Sequence, residues 1–214
     1  MQVEQLIKSD RKPSLQLVLD QPWRITNELR RITSLPYIRF MFTLYGIKWG
    51  KGWRILGMPI IQRQGSSTIT LGDRLTLRSW RTSNPLTPTH PVVLATRNPG
   101  AVIQIGDDCG FTGTTLVAAE SIQIGHRVQV GANSVIVDTD FHPTQVEERA
   151  RDFLNGQHAP IIIEDDVFIG MQSLILKGVT IGRGSVVGAG SVVTKNVPAG
   201  VVVAGNPARI VKEL

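Results

Sequence analysis

The chain has 214 residues and a mass of 23.4 kDa, enough for one sizeable core with a small appendage. A hydrophobic share of 42% and 21 glycines exclude a disordered chain. Lys plus Arg number 23 against 17 for Asp plus Glu, a net charge of +6 that suits nucleic acid, an anionic membrane or an anionic small ligand; no RNA- or DNA-binding motif is present, so nucleic acid is not expected as a partner.

From Ser14 to Tyr45 apolar residues at mixed spacing alternate with arginines. Leu15, Leu17, Leu19, Trp23, Ile25, Leu29 and Ile32 predict two short amphipathic helices, broken near Pro36. Arg24, Arg30, Arg31, Arg39, Lys48, Lys51 and Arg54 make this the basic end. Residues 1–60 are read as a helical cap that covers the open end of the domain over 61–214. A sharper reading gives the same helices a peripheral contact with anionic lipid at the inner face of the membrane. The stretch from Leu35 to Gly46 is interrupted by Arg39 and is too short to span a bilayer. No secretory signal is seen, and the single cysteine, Cys109, excludes an intrachain disulfide; together these predict a cytoplasmic protein.

Arg78 to Gly100, with Pro85, Pro88, Pro91 and Pro99, predicts an irregular coil with a projecting loop. Beyond it the chain beats in sixes. Ile163, Ile169, Ile175, Ile181, Val187 and Val193 are all branched aliphatics in steps of six. The fifth place of each hexad is small or β-branched: Val167, Ser173, Val179, Ser185, Ser191, Val197. Upstream, Ile105, Phe111 and Val117 keep step, then Ile124, Val130 and Ile136, one residue out of phase; a single insertion near Ser121 would account for that. Leu71-Gly72 is a ragged early copy. Cys109 falls on a fifth place, which predicts packing rather than reactivity. A period of six fits neither a helix nor a hairpin. It fits short parallel strands joined by tight corners in a three-sided solenoid. The beat stops at "VIVDTDFHPTQVEERARDFLNGQHAP", Val135 to Pro160, which predicts a protruding loop over 138–160 with a short helix in "EERARDFL".

The lattice resembles the hexapeptide-repeat acyltransferases, whose fold is a left-handed parallel β-helix, an all-β class. "DTDFHP", "GAGSVVTK" and "AGNPAR" are similar to the sugar O-acetyltransferase branch, with its maltose, galactoside, nodulation and polysaccharide-modifying members. The likeness covers about Leu71 to Leu214 and is strongest from Ile124. It implies an acetyl-CoA donor, a saccharide acceptor and a homotrimer with active sites between subunits.

A sugar hydroxyl needs a base to take its proton as it attacks a thioester. Histidine suits this, with an unperturbed pKa of about 6.5. The resemblance puts that role on His142. Asp140 and Asp138 are candidates to orient the ring or hold the sugar. A plain solvated loop histidine, with two turn-forming aspartates, is the competing reading. By the same resemblance Phe168 and Met171 line the reactive end, Phe168 standing where a tryptophan is common. Thr112 takes the place of an acceptor-binding asparagine. Ala189, Thr194 and Lys195 are expected along the coenzyme A groove, and Arg209 and Lys212 near its phosphates. His90, His126, His142 and His158 are too evenly spread for the close histidine pair of the zinc-dependent gamma carbonic anhydrases, so no metal is expected. The expected activity is O-acetylation of a polysaccharide or lipid-linked precursor. N-acetylation of an amino sugar and a non-enzymatic trimeric scaffold are the alternatives.

Overall fold

The computed structural model describes residues 21–214. The expectations for Leu15, Leu17 and Leu19 lie outside the described residues. One helix, α1 (Pro22–Leu44), opens the described chain, with Pro22 at its first turn. Pro36 does not break it, contrary to expectation. A mid-helix proline costs roughly 3 kcal/mol. Here the turns that follow it bury Ile38 and Phe42 completely, which offsets that cost. Phe42 packs edge-on against Trp49 and Trp53, with ring centroids 5.8 and 5.5 Å away. Trp53 Nε1 donates to the Gly72 carbonyl at 2.6 Å. This aromatic plug seals the open end of the solenoid.

The solenoid turns through three faces. Its first coil is β1 (Arg54–Leu56), β2 (Ile60–Gln62) and β3 (Thr68–Leu71), so strand pairing begins within the segment assigned to the cap. The second is β4 (Thr76–Arg78), β5 (Val93–Thr96) and β6 (Val102–Ile105). The third is β7 (Gly110–Thr112), β8 (Thr115–Ala118) and β9 (Ser121–Ile124). The fourth is β10 (Gln129–Val130), β11 (Val135–Val137) and β12 (Ile161–Ile163), with α2 (Val146–Arg151) between the last two. The fifth is β13 (Phe168–Ile169), β14 (Leu174–Ile175) and β15 (Thr180–Ile181). Then come β16 (Val186–Val187), β17 (Val192–Val193), β18 (Val201–Gly205) and β19 (Ala208–Glu213). Strands stack in parallel along each face; among the described strands β19 alone runs antiparallel, folding back on β18 at the far end.

The hexad aliphatics fill the interior. Ile163, Ile169, Ile175, Ile181, Val187 and Val193 are all buried. The fifth-place residues turn inward at the corners, where only a small side chain fits. Ser173 Oγ donates to Gly170 O at 2.8 Å, Ser191 Oγ to Gly188 O at 2.6 Å and Ser185 Oγ to Pro198 O at 2.6 Å. Each buried hydroxyl thus satisfies a corner carbonyl. Cys109 occupies the same place; burial pushes its thiol up to about 11, so it stays protonated.

The register departs from the expected lattice at one strand. Leu116, not Val117, points inward, opposite Ile136. Leu116 comes five residues after Phe111 rather than six, because the Thr112–Thr114 corner is short and turns through Gly113 at φ +50. The next corner, at Ala119 and Glu120, is correspondingly long. The predicted single insertion is therefore one shortening followed by a longer compensation. Arg78 to Gly100 also holds the regular strand β5 beside its projecting loop.

Candidate active site

The interruption leaves the coil after β11 and returns at β12, at the corner between the second and third faces. Its stem is zipped: Thr139 bridges His158, Asp140 N donates to Gln157 O at 2.9 Å, and Ala159 N donates to Asp138 O at 3.0 Å. At the tip, α2 carries Glu147 and Glu148 in its first turn and Arg149 and Arg151 in its last, charges that suit the helix dipole. The predicted short helix is present, starting one residue before the quoted stretch and ending three residues short of its end.

His142 sits on the near side of this loop. Its backbone N–H donates to Asp140 O at 2.7 Å, and its Nδ1 lies 2.6 Å from the Phe153 carbonyl oxygen. The Phe153 ring stacks on the imidazole, centroids 3.9 Å apart and 31° between planes. A carbonyl can only accept, so Nδ1 carries a proton, and in the neutral ring the lone pair then falls on Nε2. The preceding residue, Phe141, takes a positive φ of 63, and Arg97 lies over its ring at 4.7 Å. Gly156 makes the packing possible: a Cβ there would stand 2.6 Å from His142 N and Phe141 C. Neither Phe153 nor Gly156 was expected from sequence. The lone glycine in a charged loop was the available signal.

The two aspartates have other work. Asp138 is fully buried within the chain. Its carboxylate accepts from Ala119 N at 2.6 Å and Glu120 N at 2.8 Å, tying down the long corner beneath the loop. Burial pushes its pKa above the usual carboxylate value, and those backbone donors pull the other way. The Asp140 carboxylate receives Lys177 Nζ at 2.7 Å on both oxygens and makes no bond to the His142 ring. The remaining histidines disperse. His158 Nδ1 lies 2.8 Å from Glu120, His126 Nδ1 accepts from Asp107 N at 3.0 Å, and His90 Nδ1 meets its neighbour's carbonyl. Among the described residues no three metal-ligating side chains cluster.

Thr112, Phe168, Met171 and Ala189 come together elsewhere. They line a groove of about 480 Å³ along the first face and its corner with the second. Phe168 is 48% exposed there, whereas Thr112 is buried. The corner backbones stack tightly: a Cβ on Gly170 would stand 2.5 Å from Ala189 N. Arg78 also lines the groove. It gives Nε–H to Ser83 O at 3.3 Å and has no carboxylate partner among the described residues. Burial, and Arg54 nearby, hold its pKa below the usual arginine value. Lys195 and Arg209 share a separate pocket of about 230 Å³ at the β18–β19 end; Thr194 and Lys212 are exposed near it and do not line it. No residue of the 138–160 loop lines either space. Within one chain, then, His142 and the groove lie at different corners.

Residues 160–195 match the family described as the hexapeptide repeat of succinyl-transferase. A 2,3,4,5-tetrahydropyridine-2,6-dicarboxylate N-acetyltransferase of Staphylococcus aureus is 43% identical over 89 residues, 42% of this chain and 32% of that protein. The chain thus spans about a third of the length of the curated relatives it matches. Among solved structures, a hexapeptide-repeat-containing acetyltransferase from Vibrio cholerae aligns at a TM-score of 0.55 and 23% identity, covering 99% of this chain and 98% of that one. AntD, an N-acyltransferase from Bacillus cereus solved with dTDP-4-amino-4,6-dideoxyglucose and coenzyme A, aligns at 0.63 and 18% identity, covering 82% and 88%. The chain thus carries a hexapeptide-repeat segment over residues 160–195 and shares the fold of these acyltransferase structures. Its solenoid is their left-handed parallel β-helix.

Proposed function

We propose that the protein transfers an acyl group, acetyl in the first instance, from coenzyme A to a saccharide hydroxyl, with His142 as general base. The observation that carries this reading is the His142 ring, anchored through Nδ1 to the Phe153 carbonyl and open at Nε2. In the reaction Nε2 takes the proton of the acceptor hydroxyl as its oxygen bonds to the thioester carbon. The tetrahedral intermediate then collapses, the C–S bond breaks, and the imidazolium returns the proton to the leaving thiolate. The groove with Phe168, Met171 and Ala189 receives the donor arm, and Lys195 and Arg209, in their separate pocket, are the cations assigned to its phosphates.

One chain's groove lacks His142. A trimer would supply it: the loop of one copy reaches over the groove of the next, and each site is completed between subunits. Arg78 favours an anionic acceptor such as a polysaccharide or lipid-linked precursor bearing phosphate or carboxylate, because a half-buried cation without a partner is costly unless a ligand pairs it.

Amino-sugar N-acylation is the second reading. It is favoured by AntD, solved with an amino sugar nucleotide, and by the N-acetyltransferase relative. Release of free thiol from acetyl-CoA, measured over matched hydroxyl and amino sugars, separates the two. In the same assay His142→Ala loses about two to four orders of magnitude with its circular dichroism unchanged. A variant as active as the parent sinks His142 as base. No thiol release with any acceptor leaves the scaffold reading.

A further inference from the structure

The helix α1 has two apolar faces. The inner one carries Ile38 and Phe42 onto the first coil. Successive residues turn by about 100°. On that spacing Leu29, Ile32, Tyr37, Phe40 and Leu44 fall on the opposite side, and all five are more than half exposed. This outer arc is about 140° wide and carries no charged residue. Threonines fill gaps between its apolar residues. A helix that merely capped the solenoid would present charge to water here.

The rims of the arc are cationic. Arg30 stands along one edge and Arg39 along the other, each held against an indole, Trp80 and Trp49, at 4.9 Å. The helix's one acid, Glu28, lies away from the arc and pairs with Arg31 and Arg54. An uncharged apolar strip flanked by an arginine on each side is complementary to a layer that is apolar within and anionic at its surface. It is a poor surface for a second copy of itself, since a two-fold contact would bring arginine rims together. Among the described residues no helix is long and apolar enough to cross a membrane, so contact would be in the plane of the surface.

We infer that α1 lays this outer arc in the headgroup layer of an anionic membrane, with Arg30 and Arg39 on the lipid phosphates. The inference stands apart from the acyl-transfer reading. It keeps the solenoid beside the bilayer, where a lipid-linked acceptor would be met.

The test is co-sedimentation of the full chain with vesicles of phosphatidylcholine alone or mixed with phosphatidylglycerol. Binding is expected to the mixed vesicles only and to weaken as salt rises. The double variant Leu29→Glu, Phe40→Glu should abolish it, with unchanged melting temperature and solution mass because both side chains face outward. Arg30→Gln with Arg39→Gln should weaken it about thirtyfold. No binding to the mixed vesicles overturns the inference, as does binding that survives the glutamates. A drop in the glutamate variant's solution mass or melting temperature, with vesicles not bound by the parent, assigns the arc to another copy or to residues 1–20 and equally overturns it.

Discussion

His142 Nδ1 lies 2.6 Å from the carbonyl oxygen of Phe153, and the Phe153 ring covers the imidazole. The carbonyl sets the tautomer and the ring sets the plane, so Nε2 is aimed without any carboxylate. Phe153→Ala keeps the carbonyl and removes the stack. It should lower kcat about tenfold while leaving the donor KM unchanged, since only the aim of the proposed base is loosened. Steady-state kinetics on the released thiol decide this; a change confined to KM would mean that Phe153 binds substrate instead.

Asp140 is held by Lys177 at 2.7 Å, both side chains being less than a third exposed. Its effect on turnover should therefore run through that pair. Asp140→Asn and Lys177→Met are expected to lower kcat by similar factors. The double variant should be little worse than either single one, the signature of coupled residues in a double-mutant cycle. If Asp140→Asn alone raises the acceptor KM and Lys177→Met does not, Asp140 contacts the sugar.

The corrected register has its own consequence. Leu116 is completely buried and Val117 half-buried. Leu116→Ala should cost about 2–5 kcal/mol in chemical denaturation, and Val117→Ala less than about 1 kcal/mol. The reverse order would restore the uninterrupted lattice.

Cys109 is buried and its thiol is pushed up to about 11. At pH 8 only about one thiol in a thousand is ionised. A thiol reagent should leave the folded protein unlabelled and react fully once denaturant is added. Rapid labelling of the folded chain would contradict the packing role.

The solenoid was legible because its packing rule is local. Each interior place needs a branched aliphatic, each inward corner a small side chain, and both recur at fixed spacing. Val117 was misassigned because short and long corners nearly cancel, and only strand pairing reveals them. The single helix through Pro36 was hidden for the opposite reason: burial of Ile38 and Phe42, which overrides local preference, is a tertiary effect. In the site, His142 and its loop stood out as a break in the rhythm. Asp138 and Asp140 were drawn toward the chemistry by proximity in sequence, yet one ties a corner and the other pairs with Lys177, 37 residues away. Phe153 contributes a backbone carbonyl, which no side-chain identity announces. Arg78 was passed over because a strand arginine is ordinarily a solvated one.

The proposed site, divided between two corners of one chain and completed by a second chain, can be tested by mixing. His142→Ala removes the proposed base, and Ala189→Trp fills the groove on an exposed position; each variant alone should be inactive. Dissociated and reassembled together in equal amounts, the two should recover about a quarter of parental activity, because a quarter of the sites pair an intact loop with an intact groove. Recovery to that level supports acyl transfer at a shared site. No recovery, from mixtures shown by mass to contain both chains, would contradict it.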